Sequence, residues 1–325
     1  MTFGRRFIKC CPTSLAKTNT SIASRASPIA ATQPFAHCDA PNTVWCVDFK
    51  GKFRTQDGEW CHVLTILDAY SRYVLRCEAV LDPTGDEVER IFDGAFLEFG
   101  LPQALRSDNG PPFASTGAGG LTKLSLWWLR LGINLERIEP GKPQQNGRHE
   151  RMHRTLEEAV TPARANLRAQ QRALDLWRRE YNEERPHEAL GQKPPATVYT
   201  RSTRRYPRPL KRPEMNTFAE PVRVDHGGHI RWRRERVFVS SPLALEHVEL
   251  LPDETAQGRW RVSYGPILLG WVDPERLERG LILPPRRRRR RSPKVPQKSI
   301  LSLDSTAMPP EPIVGPRGGR ARKHE

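Results

Sequence analysis

The chain has 325 residues, enough for two ordinary domains, and its 53 Lys and Arg against 37 Asp and Glu give a formal net charge of +16. Its six cysteines form no C-x-x-C pair, which excludes a disulfide framework and a cysteine zinc site and reads as reduced thiols of a cytoplasmic protein. No window approaches the ~20 apolar residues of a membrane span. Charge gathers at the ends: residues 284–325 hold 12 Lys and Arg against 3 acids, and residues 1–40 hold 5 against 1. A polyanionic partner, nucleic acid, fits this distribution, with a merely solubilising tail as the bland alternative.

Residues 1–40 show no amphipathic period and are expected to be a disordered or degenerate leader, although their Ser-rich, acid-poor composition also suits a transit peptide. Regular pattern begins at Asn42. Residues 44–53, VWCVDFKGKF, read as a strand, and 61–68 and 72–80 as two more, joined by the short turn DAYSRY. Thr84 is the N-cap of a helix with apolar positions at Val88, Ile91, Phe92, Ala95, Phe96 and Phe99, closed by Gly100 and Pro102. A short strand over 103–107 leads into Asp108. The glycine-rich STGAGG, 115–120, lacks the Lys-Ser/Thr of a phosphate cradle and is read as a mobile active-site loop. A helix through Trp127, Trp128 and Leu131 follows, then a strand over 133–138 and the loop PGKPQQNG. The next helix runs from about Asn146 to Val160. Another is expected to open at Thr161-Pro162, with Leu167, Leu174, Trp177 and Tyr181 on one apolar stripe.

These elements predict an α/β domain over 41–184, a mixed five-stranded sheet with flanking helices. Residues 185–220 are basic and Pro-rich, a linker by composition. Residues 221–283 change to short strands and read as a small all-β (SH3-like) barrel of about five strands. Residues 284–325, with six consecutive arginines, are expected to be a disordered tail.

Three acids stand out. Asp48 lies in the middle of the first strand, where an acid needs a partner or a metal. Asp108 ends a strand, where open sheets commonly place their sites. Glu150 lies one turn into a helix. Brought to one sheet edge, three such carboxylates could hold two hard cations, Mg²⁺ by the all-oxygen ligand set. Each acid has a plainer reading: Asp108 as a turn former with Asn109-Gly110, Glu150 as a surface partner of Arg154, Asp48 on an exposed edge strand. Asp68 reads as a turn residue rather than a fourth ligand.

The segments PNTVWCVDFKG, TILDAYSRYVL, LRSDNGPPF, PGKPQQNGRHERMHRTL and YNEERPHEALGQKPPATVY, in this order, closely resemble the integrase core of bacterial insertion-sequence transposases, in the DDE superfamily that includes retroviral integrases. The resemblance covers residues 41–200. It implies a ribonuclease H-like fold, a catalytic and metal-binding triad of Asp48, Asp108 and Glu150, and two Mg²⁺ or Mn²⁺ ions per active site. It implies cleavage at transposon ends and transfer of the freed 3′-hydroxyl into target DNA by a homo-oligomer, with no small-molecule substrate and no membrane. Arg148, Arg151 and Arg154 would approach the DNA, with solvated helix surface as the alternative. Asn109 would steady the metal site or simply form the turn. In the expected barrel Arg231, Arg233 and Arg234 interleave with Trp232 as a nucleic-acid face, or are merely solvated. The family's N-terminal helix-turn-helix is not visible in residues 1–40, which leaves a DNA-binding-only derivative and a nuclease of the same fold as competing expectations.

Overall fold

The computed structural model describes residues 38–138, 147–207, 215–255 and 258–284. The expected leader (apart from residues 38–40), the PGKPQQNG loop and the arginine tail lie outside these residues.

Strands β1 (Val44–Arg54), β2 (Trp60–Asp68) and β3 (Val74–Val80) form an antiparallel meander. Strands β4 (Ala104–Ser107) and β5 (Asn134–Arg137) then add in parallel beside β1, giving the order β3-β2-β1-β4-β5. This is the mixed five-stranded sheet expected. β1 is central, so Val44 through Val47 are buried on both faces rather than alternately. Burial then fades along the strand, and Asp48 sits at that transition.

Helices α1 (Gly85–Phe99) and α2 (Lys123–Arg130) cover one face. α1 starts where Thr84 accepts a hydrogen bond from the Glu87 amide and ends at Gly100, as its sequence dictates. Between these helices and the sheet lies an aromatic core of Trp45, Phe92, Phe96, Phe99, Phe113, Trp127 and Trp128. Helices α3 (Gly147–Val160) and α4 (Leu167–Glu183) cover the other face. Met152, Leu156, Leu174, Trp177 and Tyr181 pack there against Val63, Leu67 and Val74, so the α4 stripe is core.

α4 begins five residues after the Pro-containing start expected for it. Asn166 caps it, its side chain accepting from the Ala169 amide at 2.9 Å, and residues 161–166 instead receive the tip of the β1–β2 hairpin. Replacing Asn166 with alanine is expected to cost about 1 kcal/mol in a urea titration, the usual worth of such a cap.

Part of the stretch expected to be a linker is docked on the core. Tyr199 stacks on Tyr73 at 4.4 Å, the Ser202 amide donates to the Phe99 carbonyl, and the Tyr206 hydroxyl donates to Asp93 at 2.7 Å. The two tyrosines supply apolar surface that the Pro- and Arg-rich composition conceals.

Strands β6 (Glu220–Arg223), β9 (His247–Pro252), β10 (Trp260–Tyr264) and β11 (Ile267–Val272) form a second sheet in the order β11-β10-β9-β6. A hairpin of β7 (His229–Trp232) and β8 (Glu235–Phe238) completes this part. Its core includes Ala118, Leu121, Leu126 and Leu129 from the integrase-like region. STGAGG is therefore a packed contact and not a free loop. A Cβ on Gly119 would lie 2.8 Å from Ile267 Cγ2, and its φ of 63° favours glycine as well.

Candidate active site

Register relates the positions of the first two acids. β1 pairs in parallel with β4 as Val44 with Ala104, Trp45 with Leu105 and Cys46 with Arg106. Asp48 lies two residues past the last of these pairs on β1, and Asp108 follows the end of β4 by one residue. Asp48 is half-buried; Asp108, just past the end of β4, is exposed.

Across β1, Asp48 pairs with Thr65 of β2, and Thr65 joins the sheet to α3. Its hydroxyl donates to the Asp48 carbonyl at 3.1 Å and lies 2.6 Å from His149 Nε2 and 2.8 Å from His153 Nε2. A hydroxyl has one donor and two acceptor sites, so both imidazoles donate Nε2–H to it and the group is filled. Burial pushes the His149 pKa well below its ordinary value and that of His153 down to about 4. Both rings are therefore neutral at pH 7, in keeping with this donor assignment.

Among the described residues, the group of three His, Cys, Asp or Glu side chains whose ligand atoms lie within 4.8 Å of one another is Asp48, His149 and His153. His149 and His153 stand at i and i+4 around Glu150, the H-E-x-x-H spacing that in other helices binds zinc. Here the two Nε2 atoms converge on the Thr65 oxygen, which fills the point a metal would need, and Glu150 faces solvent. The cluster is a hydrogen-bonded strut from helix to strand. Sequence reasoning passed over it, although the i, i+4 spacing of two histidines was its visible signal.

A second device fixes the Asp108 loop. Arg137, the last residue of β5, is buried; it donates to Ser107 Oγ at 2.7 Å and to the Phe113 carbonyl at 2.6 Å. Burial lowers its pKa to about 10, and the Asp108 charge acts the other way. The Asn109 amide donates to the Ile138 carbonyl. Phe113 packs between Phe49 and Trp128, with ring centroids 5.7 and 6.2 Å away. Gly110 leaves room for the acid: a Cβ there would lie 3.0 Å from Asp108 Oδ2. Nothing in the local sequence announced Arg137, because its partners are 24 and 30 residues away.

Glu150 is in the first turn of α3 and exposed. Among the described residues, the three acids do not form a group with ligand atoms within 4.8 Å. Arg148 is half-buried and donates to the Ala69 carbonyl at 2.7 Å, so it ties α3 to the β2–β3 turn. Arg151 and Arg154 are exposed. Asp68 is fully buried and accepts from the Asn42 amide and from the Ser71 amide and hydroxyl, as a turn residue does. Arg231, Arg233 and Arg234 are exposed while Trp232 is buried. Arg233 and Arg234 form the two-residue β7–β8 turn at φ 47° and 70°, and the Arg233 guanidinium lies 4.7 Å from the centre of the Trp232 ring.

Residues 39–143 and 131–195 match two families, each described as an integrase core domain. It is 33% identical over 156 residues to a 31.7 kDa protein of insertion element IS407 from Burkholderia multivorans, covering 46% of this chain and 53% of that protein. It is 31% identical over 171 residues to a 39.2 kDa protein of insertion element IS476 from Xanthomonas euvesicatoria, covering 52% and 47%. The chain thus spans about half the length of these relatives. Among solved structures, the catalytic core domain of BIV integrase aligns at 21% identity and a TM-score of 0.38, over 49% of this chain and 93% of that one.

Proposed function

We propose that this chain is a DDE transposase that cuts and joins DNA at the ends of an insertion element. The observation carrying the proposal is the parallel β1–β4 pairing inside a matched integrase core, whose continuation by two residues would bring Asp48 next to Asp108. Integrase cores depend on divalent metal. The residues here fit that requirement: carboxylates at an open sheet edge are hard oxygen donors suited to Mg²⁺ or Mn²⁺, and the neighbouring imidazoles are already committed to Thr65. Asp48, Asp108 and Glu150 would hold two such ions, which when bound activate a hydroxyl and stabilise the leaving oxygen.

The chain's own residues supply position. The Thr65 strut fixes α3, and with it Glu150, against the strand that bears Asp48. Arg137 and Asn109 hold the strand end and loop around Asp108. In strand joining, a 3′-hydroxyl attacks a phosphodiester of the target strand: a new P–O bond forms, the bond from phosphorus to the target's 3′-oxygen breaks, the attacking hydroxyl gives its proton to water, and the leaving oxygen takes one up as a new 3′-hydroxyl. The C-terminal strands, read as a barrel with Arg231, Arg233 and Arg234 outward, would add affinity for DNA, as would Arg151 and Arg154. Assembly as a homo-oligomer on the DNA ends belongs to the same reading.

The test incubates the full chain with Mg²⁺ or Mn²⁺ and a labelled duplex carrying the element's terminal repeats, beside Asp108→Asn. Joined strands are expected from the wild type. The variant should form them slower by on the order of a hundred- to a thousandfold, the cost of removing one charge-stabilising group. DNA retardation without products would sink the proposal, and cut but unjoined strands would replace it with a nuclease.

A further inference from the structure

The β1–β2 hairpin extends beyond the site and carries on one face a cluster that the chemistry above does not use. Register pairs Lys52 with His62 and Arg54 with Trp60, all on the face opposite Phe53 and Cys61, which pack toward the α3–α4 side. Trp60 is 39% exposed, unusual for a tryptophan on a strand. The Lys52 ammonium lies 4.6 Å and the Arg54 guanidinium 4.2 Å from its ring centre, both within cation–π range. Among the described residues neither cation has an ion-pair partner. Asp57, at the tip, is occupied by the Thr55 hydroxyl and the Glu59 amide.

The hairpin is also rigid in its placement. Its tip makes three hydrogen bonds to the α3–α4 connection: Gln56 amide to Arg164 carbonyl, Asp57 amide to Ala165 carbonyl, and Gln56 side chain to Ala163 carbonyl. At its base, Phe49 packs edge-on to His62 and stacks on Phe113 of the Asp108 loop. An exposed aromatic flanked by two cations, held in place beside the loop of a catalytic acid, is costly surface for a protein with no use for it.

We infer that Lys52, Arg54 and Trp60 form a contact surface for an unpaired DNA strand. The phosphates of such a strand draw the two cations off the ring, and the freed indole face stacks on a base. The inference takes its partner from the DNA-joining proposal but does not depend on the chemistry.

Binding of the full chain to a single-stranded oligonucleotide and to the matching duplex, without metal and across a salt series, tests it. For the single strand, Lys52→Gln/Arg54→Gln is expected to make the log K against log salt slope shallower by about 1.4, at ~0.7 per phosphate contact. Trp60→Ala should weaken single-strand binding by on the order of tenfold, and Trp60→Phe should restore most of it. Arg168→Gln/Arg172→Gln, the same charge change on exposed α4 positions, should alter the slope less. Unchanged single-strand affinity in folded Trp60→Ala, an equal effect on duplex, or an equal slope change in the α4 pair would overturn the inference while leaving the proposed function standing. A wild-type chain that binds no DNA would end both.

Discussion

Between pH 6.5 and about 4 the folded protein is expected to lose several kcal/mol of stability, through His149 and His153. Both imidazoles are buried around the Thr65 hydroxyl, and burial depresses their pKa, to about 4 for His153 and well below 6.5 for His149. In the unfolded chain they take up protons near pH 6.5, whereas the folded state refuses them until lower pH. The unfolded state therefore binds more protons throughout this window, so stability is complete above 6.5 and falls as pH falls. For His153 alone the shift corresponds to about 3 kcal/mol. Asp68 acts in the opposite direction, because burial raises its pKa and protonation near and above 3.8 favours the folded state. The comparison that isolates the strut is with His153→Asn, which retains a donor but cannot be protonated. Urea titrations at half-unit pH steps should give a flatter profile for the variant; identical profiles would show that the imidazole does not titrate in this way.

Glu136→Ala is expected to destabilise the chain by about 3–5 kcal/mol, more than most single substitutions. Arg106 and Glu136 are register partners on β4 and β5, and their side chains are 5% and 16% exposed. Arg106 Nε and Nη2 both donate to Glu136 Oε2. Removing the carboxylate takes both of these hydrogen bonds from a buried guanidinium whose neighbours include Cys46 and Ala104. The pair itself need not be stabilising relative to an apolar pair. Arg106→Leu with Glu136→Leu is accordingly expected to recover most of the loss. Thermal and urea unfolding of the single and double variants measure both terms, and a double variant no better than the single would refute the argument. The result bears on the site as well, since Asp108 lies two residues beyond Arg106 on the same strand.

What was legible beforehand was what neighbouring residues decide. Thr84 and Gly100 bound α1 because capping is local, and the stretches 61–68 and 72–80 marked real strands, at Trp60–Asp68 and Val74–Val80. The start of α4 was misread because Thr161-Pro162 is a good cap and first-turn pair in isolation. The hairpin tip claims that connection from more than a hundred residues away, through Gln56. Composition suggested a free STGAGG loop and a free linker; both are docked by partners distant in sequence, Ile267 in one case and Tyr73 in the other. Within the site Asp48 could be picked out because an acid inside a strand is anomalous, whereas Asp108 and Glu150 stood out only through the family resemblance. Arg137 and Thr65 could not, because their importance exists only once β1, β2, β4, β5 and α3 are assembled.

The shared core of α2, Ala118 and the C-terminal strands bears on how the chain can be divided. Leu126 and Leu129 of α2 pack in the C-terminal core while Leu124, Trp127 and Trp128 pack in the first, so cutting the chain before β6 is expected to expose apolar surface and yield a sticky fragment. The outward arginines of the β7–β8 turn are thus carried on a fixed arm and not on a tether.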